Sequence, residues 1–167
     1  MQFADLYNYI VYPLLFILPA YIANGAPVLF GGGAPLDMRK RFRRRRIFGD
    51  NKTIRGTAFM MVGAVVIGLI EYPFLHFMVY ISILLGIGTI VGDLLGSFIK
   101  RQMRMNPGRS LPIMDQYGFF IFAILFSLPL GHTPDVIGII FLVILTGIAH
   151  ILTNRGAHLL RLKSVPW

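Results

Sequence analysis

The stretch FMVYISILLGIGTIVGDLLGSFIKR, residues 77–101, decides what kind of protein this is. It opens as a mostly apolar run long enough to cross a lipid bilayer, for which about 20 residues suffice. Its second half carries Asp93 and Ser97, and it ends on Lys100 and Arg101. A predicted membrane span therefore delivers a carboxylate, a hydroxyl and two cations to one side of the membrane.

The composition of the whole chain agrees with a membrane protein. The 167 residues are 56% hydrophobic and only 14% charged, whereas soluble domains have roughly 25% charged residues. The chain contains no cysteine, which excludes disulfides, thiolate metal sites and a cysteine nucleophile. The first residues, MQFADLYNY, lack the basic region of a cleavable signal peptide. We therefore expect the first apolar stretch to be a membrane span.

Five spans are predicted, and they make an all-α, polytopic integral membrane protein. We expect a single transmembrane domain over residues 1–167, with two cytoplasmic loops of about 31–56 and 100–116 that together form the functional site. The connections on the other side are too short to hold a site. The predicted spans cover about 6–30, 57–72, 77–99, 117–130 and 136–152.

The basic residues give the orientation of the predicted spans. All 16 lysines and arginines follow span one, three or five, and none lies on the opposite side. Cytoplasmic loops of membrane proteins carry such an excess of lysine and arginine. We therefore expect the N-terminus outside, the C-terminus in the cytoplasm and the functional site on the cytoplasmic face of the cell membrane.

Asp93 is the strongest candidate for chemistry, because an ionisable residue inside a span costs roughly 2.5–3.5 kcal/mol and needs a partner or a purpose. At 100° per residue, Ser97 and Lys100 lie within about 40° of Asp93 around the helix axis. Gly92 and Gly96 keep this stripe thin, so that a ligand or another helix can approach the backbone. The alternative is an Asp93–Lys100 pair that only stabilises the end of the helix.

A second carboxylate follows in the loop after this span. The triplet Asn106-Pro107-Gly108 is a turn signal, and Asp115 stands just before the predicted fourth span. If the chain folds back, Asp93 and Asp115 converge. Two carboxylates among basic residues suit Mg²⁺ bound together with a polyphosphate. The alternative for Asp115 is a helix N-cap, for which aspartate is a preferred residue.

The first cytoplasmic loop has the composition of an anion-binding turn. Glycine, lysine and threonine directly before a helix supply backbone N–H groups, charge and a hydroxyl; these residues are Gly49, Asp50, Asn51, Lys52 and Thr53. The pattern is not a Walker A motif, because that motif has a glycine directly before the lysine and Asn51 stands there. The alternative is a solvated loop whose charges only set topology. The preceding arginine run favours anionic headgroups over nucleic acid, so no nucleic-acid partner is expected.

Two motifs resemble a known family. GDLLGSFIKR at 92–101, with P-x-x-D-Q at 112–116, resembles the signature of the membrane-embedded phosphatidate cytidylyltransferases, the CDP-diglyceride synthases. RRIFGDNKTIRG at 45–56 and the five-span length resemble the archaeal branch of that family, the CDP-archaeol synthases. The resemblance covers most of the chain.

The resemblance implies a Mg²⁺-dependent enzyme with two substrates, CTP and a membrane lipid phosphate. In the archaeal branch the lipid is 2,3-bis-O-geranylgeranyl-glycerol 1-phosphate, and the products are CDP-archaeol and pyrophosphate. Aspartates matching Asp93 and Asp115 are implicated in holding the metal with CTP.

From these implications we assign roles as a hypothesis. The catalytic residues are Asp93, Asp115 and Lys100, and Lys100 with Arg101 would receive the lipid phosphate. The residues assigned to CTP are Arg46, Gly49, Asp50, Asn51, Lys52, Thr53, Arg55 and Ser97.

Two other functions are compatible with parts of the sequence. A small ion transporter or channel would use Asp93 as its ion site, but the other spans carry few polar residues. A non-enzymatic protein that binds anionic lipid or a partner would explain the arginine run, but not Asp93, Ser97 and Asp115 together. The sequence leaves the oligomeric state open, a homodimer being one option.

Overall fold

Five long helices dominate the computed structural model, which describes residues 3–105, 109 and 111–162. Each is long and apolar enough to cross a membrane, which confirms the predicted all-α, five-span architecture. The helices are α1 (Phe3–Phe30, with a π-helical segment at Tyr7–Val11), α2 (Ile54–Glu71), α3 (Met78–Gln102), α4 (Pro112–Ser127) and α5 (Val136–Leu159).

The helix boundaries shift two of the predicted site residues from loops onto helices. Helix α3 continues to Gln102, so Lys100 lies in its last turn instead of in a loop. Helix α4 begins at Pro112 instead of near residue 117, and Asp115 therefore lies in its first turn. The turn predicted at 106–108 lies outside the described residues.

Helix α3 stands at the centre and packs against α1, α2 and α4. The main core is shared by four helices, and its fully or nearly fully buried members are Phe16, Ile17, Ala20, Met78, Ile81, Leu85, Phe119, Phe120, Ala123 and Leu142. Because lipid tails are as apolar as these side chains, the helices associate through close packing and polar contacts more than through the hydrophobic effect.

Helices α3 and α4 make close backbone contact at glycines. A Cβ atom added at Gly88 would lie 2.3 Å from the carbonyl oxygen of Phe122, and one added at Gly92 would lie 2.4 Å from that of Gly118. Each step of four residues along α3 is matched by four residues back along α4, so the helices run antiparallel in a fixed register. Small residues allow such backbone contact, as the thin flank at Gly92 predicted.

The loop between α1 and α2 contains a structural feature that the all-α prediction omits. Strand β1 (Arg41–Phe42) pairs with β2 (Arg45–Arg46) in an antiparallel hairpin. Its two-residue connection, Arg43-Arg44, has φ angles of 45° and 67°, as the type I′ turns of hairpins require. The arginine run is thus an ordered hairpin.

A matched pair of substitutions tests the glycine contact. Gly92→Ala forces a methyl group against the α4 backbone and should destabilise the protein by about 1–3 kcal/mol, as overpacking does. Gly96→Ala should change stability little, because its Cβ would lie 3.9 Å from the carbonyl oxygen of Met114, an ordinary contact. Thermal unfolding in detergent measures both, and equal midpoints would contradict this packing.

Candidate active site

An ion pair connects the first loop to the polar half of α3. The Nζ of Lys52 donates to both carboxylate oxygens of Asp93, at 2.6 and 2.7 Å. A carboxylate near the end of an apolar helix needs such a partner, because an uncompensated charge there is costly. The partner comes from 41 residues earlier in the chain, so the loop before α2 folds back onto α3.

A second ion pair connects the end of α3 to the start of α4. The Nζ of Lys100 donates to Asp115 Oδ1 at 2.7 Å. The alternative of an Asp93–Lys100 pair within α3 is therefore wrong. The other oxygen of Asp115 accepts the N–H of Leu111 at 2.9 Å. Leu111 is itself the N-cap residue, so Asp115 supports the helix start from within the first turn and also binds the lysine.

The glycine contact places these two pairs at the same end of the bundle. Gly92 is adjacent to Asp93 in the chain, and Gly118, against which it packs, follows Asp115 by less than one helical turn. Both carboxylates are partly buried, with 22% and 23% of their side-chain surfaces exposed. Both acids therefore remain partly accessible at the polar end of the bundle.

The loop that carries Lys52 is organised by Asp37, whose side chain is 0% exposed. Its carboxylate accepts hydrogen bonds from Arg46 Nη2 at 2.7 Å and Nε at 3.2 Å. It also accepts the backbone N–H groups of Arg39, Phe48 and Gly49 at 3.0, 3.0 and 3.1 Å. Five donors on one carboxylate fix the course of the loop from 37 to 49.

The contacts of Asp37 keep it ionised. Burial raises the pKa of this carboxyl, but the hydrogen bonds from Arg46 and from the backbone N–H groups of Phe48, Gly49 and Arg39 lower it more, so that it lies well below its usual range. The hydrogen bonds to Asp37 and Asp50 raise the pKa of Arg46. Because the folded-state pKa of Asp37 is depressed, its stabilisation is present above about pH 4 and is lost as the pH falls below that.

The predicted nucleotide loop lies against the end of α3. Gly49 has a φ of +90°, which favours glycine, and a Cβ atom added there would lie 3.5 Å from Cδ of Arg101. The exposed Asp50 accepts a hydrogen bond from Arg46 Nη1 at 2.8 Å. Asn51 is exposed. The structure thus brings Arg101 and the predicted loop together.

Three other residues assigned to CTP serve helix ends or are buried. Thr53 is the N-cap of α2, and its Oγ1 accepts the N–H of Gly56 at 3.0 Å. Arg55 donates from Nε to the carbonyl oxygen of Phe30 at 2.8 Å and from Nη2 to that of Gly31 at 2.7 Å. Ser97 is buried on α3. Thr53 and Arg55 therefore have structural partners in addition to any ligand.

The described residues do not form an all-protein metal cage. No group of three or more His, Cys, Asp or Glu side chains is found among them. The acids at this site are two carboxylates, each bound to one lysine. Mg²⁺ is commonly held by one or two carboxylates together with substrate phosphates and water, so this donor set fits Mg²⁺ that arrives with a nucleotide.

Comparison with known proteins places the chain in a family. Residues 6–167 match the family described as CarS-like, CDP-archaeol synthase. The chain belongs to this CDP-archaeol synthase family. A CDP-archaeol synthase from Pyrococcus furiosus is 43% identical over 159 residues, covering 91% of this chain and 95% of the relative. One from Methanopyrus kandleri is 42% identical over 158 residues, covering 92% and 91%.

A solved structure supports the same assignment. It is described as an intramembrane enzyme for archaeal membrane lipids biosynthesis, and it matches this chain with a TM-score of 0.75 at 31% identity. The match covers 87% of this chain and 94% of the solved one. The resemblance predicted from the two motifs is therefore confirmed, and this member of the CDP-archaeol synthase family is a multi-pass membrane enzyme.

Asp37 was not among the site residues predicted from the sequence. A signal was present, since Asp37 is the only acid in the run from 37 to 46, where basic residues dominate. A lone acid among basic residues can neutralise some of their charge when the loop folds.

Hydrogen exchange tests the role of Asp37. Asp37→Asn keeps the shape but removes the charge, and hydrogen bonds to charged groups contribute roughly 1.5–3 kcal/mol. The amides of Phe48 and Gly49 should therefore exchange about 10–100-fold faster in this variant. Asp50→Asn is the control, because Asp50 binds the same Arg46 but is 75% exposed. Equal protection in both variants would contradict the central role of Asp37.

Proposed function

We propose that this chain transfers the cytidylyl group of CTP to an archaeal lipid phosphate at a site between Asp93 and Asp115. Membership of the family establishes the class of enzyme, a CTP-dependent cytidylyltransferase of archaeal lipid synthesis. The observation that carries the location is the pair of Asp–Lys contacts, Lys52–Asp93 and Lys100–Asp115, at one end of the bundle. The lipid we infer is 2,3-bis-O-geranylgeranyl-glycerol 1-phosphate.

The reaction needs positioning more than proton transfer. An oxygen of the lipid phosphate attacks the α-phosphorus of CTP, the bond to the bridging oxygen breaks, and pyrophosphate leaves with that electron pair. A phosphate monoester has its second pKa near 6, so the nucleophile is already ionised at pH 7. The enzyme must bring two anions together in line and stabilise charge on the transferring and leaving groups.

The two aspartates would hold Mg²⁺. The metal, when bound, neutralises charge on the phosphate oxygens. The fit rests on the chemistry of the donor set, since each carboxylate already holds a cation, the ammonium of Lys52 or Lys100.

The lysines would bind the substrates' phosphates. Lys52 forms an ion pair with Asp93 and belongs to the loop that contains Gly49, so we assign it to the phosphates of CTP. Lys100, in the last turn of α3, forms an ion pair with Asp115, and Arg101 follows it in the chain. These two would receive the lipid phosphate, which stays at the membrane surface while CTP arrives from water.

We infer that this end of the bundle faces the cytoplasm. All 16 basic residues lie in stretches that follow spans one, three and five, as the positive-inside rule requires of cytoplasmic segments. Lys52, Asp93 and Asp115 belong to those same segments or to the helix ends beside them. The ion-transport alternative receives no support from the relatives, which are named as synthases.

Replacing either aspartate should stop turnover. Asp93→Asn and Asp115→Asn each remove a charge from the metal and phosphate site and should lower the rate at least about 100-fold. The assay uses purified protein, radiolabelled CTP, Mg²⁺ and the lipid phosphate, and it counts label that extracts into organic solvent. EDTA should abolish the signal.

The control for these variants is Asp135→Asn. Asp135 caps α5, where it accepts the N–H of Gly138 at 2.7 Å, and it lies on the other side of the predicted membrane. Its replacement should leave turnover close to that of the unmodified protein. Near-normal activity of Asp93→Asn would refute the location of the site.

Replacing Lys52 should change KM for CTP more than KM for the lipid phosphate. Lys52→Ala removes a cation from the nucleotide loop and should raise KM for CTP about 10-fold or more, the loss of roughly one charge-assisted hydrogen bond. KM for the lipid phosphate should change less. Lys40→Ala, an exposed lysine of the same loop, is the matched control. A larger change for lipid than for CTP would reverse the assignment.

A further inference from the structure

An open pocket lies between the hairpin and the end of α3, and arginine side chains dominate its lining. Among the described residues, no carboxylate belongs to the lining of this arginine pocket, which also includes Met105. Guanidinium groups bind phosphate oxygens in bidentate fashion and remain charged at all physiological pH values. The six arginines are Arg43, Arg44, Arg45, Arg46, Arg101 and Arg104.

The walls of the arginine pocket are fixed to each other. The ring of Phe42 in the hairpin lies 5.8 Å from that of Phe98 in α3, centroid to centroid. The guanidinium of Arg45 donates to the carbonyl oxygen of Gln102. At the base of the hairpin, Arg46 is held by the buried Asp37. The cations are thus brought together by the fold before any ligand arrives.

Three of these arginines stand where the backbone favours other residues. Arg43, Arg44 and Arg104 have φ angles of 45°, 67° and 61°, in the left-handed region that suits glycine or asparagine. Among the ion pairs of the described residues, none includes these three side chains. Unfavourable backbone conformations that persist often mark functional sites, and here all three residues line the same pocket.

The arginine pocket lies beyond the proposed reaction centre on the same helix. Arg101 follows Asp93 by eight residues, which corresponds to about 12 Å of helix. Arg101 also lies against Gly49 of the proposed nucleotide loop. The pocket therefore adjoins the proposed nucleotide loop and shares Arg46 with the residues assigned to CTP and Arg101 with those assigned to the lipid phosphate.

We propose that the arginine pocket binds the pyrophosphate released in the transfer. The inference rests on the proposed function, in which the α–β bond of CTP breaks and the leaving oxygen carries the electron pair. Pyrophosphate concentrates several negative charges in a small volume. It therefore matches an arginine lining better than a singly charged lipid headgroup does, even though Arg46 is already paired with Asp37 and Asp50. The pocket makes no covalent change; it binds the anion after it leaves.

Direct binding tests this proposal. Pyrophosphate is titrated calorimetrically into the full-length protein in detergent, at fixed ionic strength and with EDTA present. The triple variant Arg43→Gln, Arg44→Gln, Arg104→Gln should bind it at least about 10-fold more weakly. The control removes the same charge from exposed positions of the loop outside the pocket, with Arg39→Gln, Lys40→Gln and Arg41→Gln, and should stay within about 2-fold.

A second variant covers the case in which the first does not fold. Arg43→Asn, Arg44→Gly and Arg104→Gly suit the left-handed backbone at these positions. Gel filtration and thermal unfolding verify folding, and the same loss of affinity is expected.

Two binding results would overturn the proposal. One is unchanged pyrophosphate affinity in a folded pocket variant, and the other is an equal loss in the control. Turnover in nanodiscs of zwitterionic lipid, with and without phosphatidylglycerol, tests whether the pocket binds anionic lipid headgroups instead of pyrophosphate. If the pocket variant alters only the response to the anionic lipid, the pocket binds headgroups and the pyrophosphate assignment is wrong. Because binding is measured without turnover, the reaction-centre assignment stands or falls separately through Asp93→Asn.

Discussion

Pairing of Asp93 with Lys52 is the interaction on which the polar half of this protein depends. A carboxylate near the end of an apolar helix is costly unless a cation compensates it. The compensating lysine belongs to the loop before α2, so satisfying the charge also draws that loop over the helix. The same ion pair thus neutralises Asp93 and positions the loop. As a result, the proposed nucleotide loop lies beside the proposed metal ligand.

The glycine contact between α3 and α4 supplies the second acid. Gly88 and Gly92 let the α4 backbone approach α3 at a distance that a methyl group would prevent. In this register Asp115 begins α4 close to where α3 ends, and Lys100 spans the gap. A wider separation of α3 and α4 would draw Asp115 away from Lys100 and from Asp93. Close packing, which holds helices together in lipid, therefore also determines where the second acid lies.

The arginine-rich loop presents the opposite problem, an excess of like charge in a short segment. The fold solves it with one buried acid: Asp37 pairs with Arg46 and accepts three backbone N–H groups. The remaining arginines are then arranged on a hairpin and held against α3 by Phe42 and Arg45. These arginines line a pocket, so the interaction that stabilises the loop also supports the proposed binding of an anion.

Hydropathy and charge were enough to predict five spans and one basic side and to single out Asp93 and Asp115 as candidates, because a chain in lipid must satisfy its backbone within helices and keep cations out of the bilayer. They could not establish the ion pairs. Helical periodicity placed Lys100 near Asp93 in angle, but a seven-residue separation leaves about 10 Å of rise between them. The nearer partner, Lys52, becomes visible only once the loop is folded. Asp37 and the hairpin escaped for the same reason, since their contacts join residues that no periodicity relates.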